Sequence, residues 1–121
     1  MESILRSWLT ALPDDPTSLE EITKSFTVVD WSELLEHALF HGVIGVVAPH
    51  VGRLGIPEDV SDRFARRCAI SRAFQESVAA SLERVAGMFD AAAIRCCALK
   101  GPALSARFYG DAAIRQAMDI D

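Results

Sequence analysis

A chain of 121 residues, half of them hydrophobic and 24% charged, is sized and balanced for one folded globular domain, which argues against two independent domains and against a disordered tail. The longest uncharged apolar stretch, 38–47, is broken by His41, Gly42 and Gly45 and falls far short of the roughly 20 residues that span a bilayer, so no membrane helix is expected. The net charge of −5 is uneven: residues 1–60 hold ten acids against three bases, whereas residues 61–121 hold seven acids against nine bases. A basic second half suits an anionic ligand, and it equally suits a solvated helix face carrying Arg63, Arg66, Arg67 and Arg72.

The opening Met1-Glu2-Ser3-Ile4-Leu5-Arg6 has none of the basic, apolar and small-residue regions of a secretory signal, which points to a cytoplasmic protein. Ile4, Leu5, Trp8, Leu9 and Leu12 form one stripe on a helix that Pro13 and Pro16 stop. Residues 18–22 can add a helical turn, and 26–29 is an ambiguous apolar run. At Asp30 a clearer helix is predicted, with Asp30 as N-cap and Glu33 completing a capping-box pattern. Trp31, Leu34, Leu35, Ala38 and Leu39 repeat at helical spacing, and Gly42 ends the run. Residues 43–51 predict a second, short, apolar helix despite Gly45 and Pro49.

Pro57 and the acids Glu58 and Asp59 suit a helix start. Val60, Phe64, Cys68, Val78, Leu82, Val85, Phe89 and Ala92 then hold a helical period over a length of roughly 50 Å. A small domain is shorter than that. The helix is therefore expected either to kink or to be covered in part by a second copy or a partner helix along 57–92. After residue 93 the pattern changes to Ile94-Arg-Cys-Cys-Ala-Leu99, which fits a buried strand. Lys100-Gly101-Pro102 then makes a turn into a short helix up to Phe108, Tyr109-Gly110-Asp111 makes another turn, and Met118-Asp119-Ile120-Asp121 enters a further strand. Cys68, Cys96 and Cys97 are an odd set without CxxC spacing, read as reduced, buried thiols. His37 and His41 sit at i, i+4 but lack a third ligand.

The succession Leu99-Lys100-Gly101, Tyr109-Gly110-Asp111, Arg115 and Asp119-Ile120-Asp121 resembles a nucleotidyltransferase family whose members carry an LKG turn, a YGD-type turn, an Arg and a DIDLLV-like strand. That family belongs to the DNA polymerase beta-like nucleotidyltransferase superfamily. The fold implied is mainly α: a helical lead-in over 1–93, then the first strand-helix-strand of an α/β catalytic domain over 94–121, incomplete here. In a strand, Asp119 and Asp121 share a face about 6 to 7 Å apart. Two such carboxylates suit hard magnesium ions that also grip a nucleoside triphosphate such as ATP.

The resemblance thus implies Asp119 and Asp121 as catalytic metal ligands for Mg2+, and Lys100 and Gly101 as phosphate contacts. Arg115 would brace the acids or reach the nucleotide. It also implies a third carboxylate from a later strand. Asp62, Asp90 and Asp111 sit in no matching motif, so residues 1–121 alone are expected to be inactive. The complete protein would transfer a nucleotidyl group from a nucleoside triphosphate to an acceptor that no residue here selects. The alternative is a helical protein-interaction module or an inactive remnant. Overall acidity and few aromatics argue against nucleic-acid binding through the basic half.

Overall fold

A computed structural model of the chain describes residues 6, 8 and 16–120. Within residues 16–120 five helices follow in chain order: α1 (Pro16–Thr23), α2 (Val28–Phe40), α3 (Ile44–Val51), α4 (Glu58–Ala91) and α5 (Pro102–Tyr109). The chain is mainly α, as the sequence implies. Most of the first predicted helix lies outside the described residues; Arg6 and Trp8 are helical, and Trp8 is fully buried with its ring edge-on to His50.

The start of α2 differs from the expected one by a turn. Thr27 is the N-cap and Asp30 is the third helical residue: the Thr27 hydroxyl accepts from the Asp30 amide, and the Asp30 carboxylate accepts from the Thr27 amide at 2.6 Å. The acid of the capping box is therefore Asp30, and Glu33 has no part in it. This draws Val28 and Val29 into the helix. The predicted stripe holds, with Trp31, Leu34, Leu35 and Ala38 buried.

In α3, Ile44, Val47 and Val51 enter the core, and Pro49 stands close enough to the end to cost little more than the bond it would make to Gly45. Val60 and Phe64 of α4 close the same core. The helix α4 runs as one continuous element of 34 residues. It ends in a Schellman turn, with Ile94 donating to the Phe89 carbonyl and Ala93 to Asp90, and Ala93 takes a positive φ of 57°.

No strand forms among the described residues. A strand exists only through a ladder, and no described segment pairs with 94–99. Ile94 and Leu99 are accordingly 54% and 69% exposed, not buried. Cys96 and Cys97 are exposed with them, contrary to the expectation of buried thiols. Cys68, partly covered on α4, has its thiol pKa pushed up by burial against the opposing pull of Arg72.

The glycine in α3 has a packing role. A Cβ on Gly45 would lie 2.4 Å from the Ile114 carbonyl oxygen, so a side chain there would push two stretches of backbone apart. Gly45→Ala gains about 1 kcal/mol of helix propensity, but overpacking against a backbone atom costs about 1–3 kcal/mol. A net loss is expected, read as a lower denaturant midpoint at unchanged m-value; a raised midpoint would show that Ile114 moves freely.

Candidate functional site

The turn at Lys100 and Gly101 is built by conformations that few residues tolerate. Gly101 has φ +63° and ψ −133°, a region essentially reserved for glycine, and Pro102 follows as the first residue of α5. A Cβ on Gly101 would lie 3.3 Å from the Ala117 Cβ and 3.8 Å from the Asp119 carbonyl oxygen. The turn is thus closed against the segment that carries the acids.

That segment is held by buried side chains. Ser105, inside α5 and fully buried, donates its hydroxyl to the Asp111 carbonyl at 2.7 Å and accepts the Arg115 amide at 3.0 Å. Gln75 of α4, 1% exposed, forms two bonds with one residue: its Nε2 donates to the Ala117 carbonyl at 3.2 Å, and its Oε1 accepts the Ala117 amide at 2.8 Å. The next residue back, Gln116, donates to the Ser71 hydroxyl at 2.7 Å. On the outer side, Asp111 uses both carboxylate oxygens, one accepting the Ala113 amide at 2.9 Å and the other pairing with Arg72 at 2.7 Å. Arg72 also meets Glu76 at 3.0 Å. The Ala113 amide and then the Arg72 guanidinium lower the Asp111 pKa, and Asp111 in turn raises that of Arg72.

Gly101 and the backbone of Asp119 are therefore adjacent across the 17 residues that separate them in sequence. The Asp119 side chain is exposed, as are those of Lys100 and Arg115. Arg115 contributes its amide to Ser105, while its guanidinium makes no ion pair among the described residues. Asp121 lies outside the described residues. His37 and His41 stack with ring centroids 6.2 Å apart. No group of three or more His, Cys, Asp or Glu suited to a metal occurs among the described residues.

Sequence reasoning missed Gln75, Ser71 and Ser105. A signal for the first two was present: the apolar period of α4 passes from Cys68 to Val78 with a gap, and Ser71 and Gln75 fill the missing inward positions with polar groups. Ser105 gave no comparable signal.

A family model described as an uncharacterised nucleotidyltransferase matches residues 27–121, from the cap of α2 through the acidic segment. No curated protein and no solved structure gave a match.

The Ala113 amide and the Arg72 guanidinium on Asp111 are expected to make the fold acid-sensitive. Because the folded pKa of Asp111 is depressed, its contribution is complete above the unfolded carboxylate value of about 4 and disappears as pH falls through the folded value. Asp111→Asn should flatten the fall of the denaturant midpoint below about pH 4. Asp30, lowered by the Thr27 hydroxyl and amide, leaves a residual slope. Parallel pH curves for the two proteins would exclude the Asp111 contribution.

Proposed function

The chain belongs to the uncharacterised nucleotidyltransferase family, and we propose that it carries the opening part of a site that transfers a nucleotidyl group from a nucleoside triphosphate to an acceptor. The observation that supports this most directly is the closure of the Gly101 turn onto residues 117–119, which joins the two halves of the motif. Asp119 suits Mg2+ by its chemistry: an exposed oxygen donor without an ion pair among the described residues. Asp119 and Asp121 would hold the metal, whose contribution is to polarise the attacked phosphate and stabilise the leaving pyrophosphate.

The remaining roles belong to the protein's own groups. Lys100 supplies a positive charge at the turn. No side chain caps the N-terminus of α5, so the first-turn amides of Ala103 and Leu104 are suited to phosphate oxygens, while Pro102 offers no N–H. Arg115, exposed and four residues before Asp119, would add a planar donor set for the triphosphate. In the protein translated from the complete reading frame, Asp119→Asn should lower magnesium-dependent transfer of label from an α-labelled nucleoside triphosphate by about two orders of magnitude. Undiminished transfer would remove Asp119 from the site.

A specific observation favours an interaction role for α4 as well. Ile70 and Met88 are 63% and 66% exposed, and Phe74 and Val85 continue their stripe at helical spacing. Self-association through this face is expected to appear as a concentration-dependent mass in light scattering, and Phe74→Glu with Met88→Glu should return it to that of one chain. A constant single-chain mass for the unsubstituted protein would exclude the second copy.

A further inference from the structure

We propose that Gln75 is a positioning residue for the acidic segment: its carboxamide fixes the backbone of Ala117, and with it the placement of Asp119 beside the Gly101 turn. The proposal rests on Asp119 being a metal ligand and adds a residue of the helical lead-in to the site.

The geometry is that of a borrowed strand neighbour. In an antiparallel ladder, a residue exchanges both its N–H and its C=O with one partner residue. Here Gln75 makes that exchange with Ala117 through Oε1 and Nε2, at 2.8 and 3.2 Å, from a side chain on a helix. The helix itself is fixed in register by Val60 and Phe64 in the core. Gln75 is 1% exposed, so water has little access to replace either bond. An apolar side chain of equal length would fill the same space and leave the Ala117 amide and carbonyl without these partners.

What those bonds govern lies next to them. Ala117 stands two residues before Asp119 and packs its Cβ toward Gly101. Gln116 is held independently, through Ser71. Ser105 holds the segment further back, at Asp111 and Arg115. Among the side-chain bonds between described residues, those of Gln75 reach the segment nearest in sequence to Asp119, so their loss is expected to loosen it.

The test uses the 15N-labelled chain, with amide hydrogen exchange and the paramagnetic broadening produced by added Mn2+ as readouts. Gln75→Met, which keeps the length and removes both bonds, should raise the exchange rate of the Ala117 amide at least tenfold and weaken Mn2+ broadening at Asp119 severalfold, with the melting curve setting the contribution of global unfolding. Ser71→Ala, which releases only Gln116, should change neither. Unchanged exchange and broadening in Gln75→Met, or equal losses in Ser71→Ala, would overturn the proposal. If Gln75→Met does not fold, Gln75→Asn decides: one methylene shorter, it withdraws the carboxamide from the Ala117 amide and carbonyl, so faster exchange at Ala117 with weakened broadening at Asp119 supports the role, and unchanged exchange and broadening overturn it. Absence of Mn2+ broadening at Asp119 in the unsubstituted chain would reject the metal ligand itself, and the exchange rates would then decide alone whether Gln75 holds the segment.

Discussion

The two hydrogen bonds between Gln75 and Ala117 are the buried link from the long helix to the backbone of the acidic segment, beside the side-chain links of Ser71 to Gln116 and Arg72 to Asp111. Residues 111–117 form neither helix nor strand, so their backbone groups cannot rely on a regular ladder. Buried side chains take over: Ser105 serves Asp111 and Arg115, and Gln75 serves Ala117. Each is a polar group with little access to water, and leaving one unsatisfied costs about 1–3 kcal/mol. The loop and the helices consequently specify each other. Release of the loop would strand Gln75, and loss of Gln75 would strand Ala117.

Close backbone approach is the second constraint, and it bears on two glycines, one of which helix propensity would disfavour. Gly45 weakens α3 as an isolated helix, yet it is what lets the Ile114 carbonyl come within 2.4 Å of where a Cβ would stand. Gly101 likewise adopts a conformation closed to most residues and brings the start of α5 against Ala117. These contacts seat one continuous segment between α3, α4 and α5. The placement of Asp119 is therefore a property of the helical framework as much as of its own neighbours.

How much of this was legible depends on whether the signal was periodic. The stripe Trp31, Leu34, Leu35 and Ala38 reads directly as a helix, because burial of one face repeats at 3.6 residues. The Thr27–Asp30 cap was misplaced because Asp30 is competent both as N-cap and as the third residue, and only the geometry of Thr27 separates the two. Ile94 to Leu99 has the composition of a strand, but composition does not supply the partner that a ladder requires. For Gln75 the gap in the apolar period of α4 marks an inward position, but the partner that makes a polar residue fit there lies 42 residues away and is visible only in the fold. The motif residues were visible as types and spacing, whereas the adjacency of Gly101 and Asp119 needed the folded loop.

The same loop also separates an acid that serves the fold from one that makes no ion pair among the described residues. Asp111 and Asp119 both lie outside helices in the basic half of the chain, and a list of carboxylates does not distinguish them. In Asp111 one oxygen takes the Ala113 amide and the other takes Arg72, so binding a cation there would compete with a turn and an ion pair at once. Asp119 is exposed, makes no ion pair among the described residues, and lies beside the Gly101 turn. Arg72 is engaged in the converse way, its charge directed to Asp111 and Glu76. The positive balance of residues 61–121 is thus partly structural, and in the site proposed above the phosphate contacts are assigned to the turn and the α5 N-terminus and not to Arg72. If so, removing Arg72 should loosen the loop, while altering the Lys100 and Gly101 turn should act on the ligand.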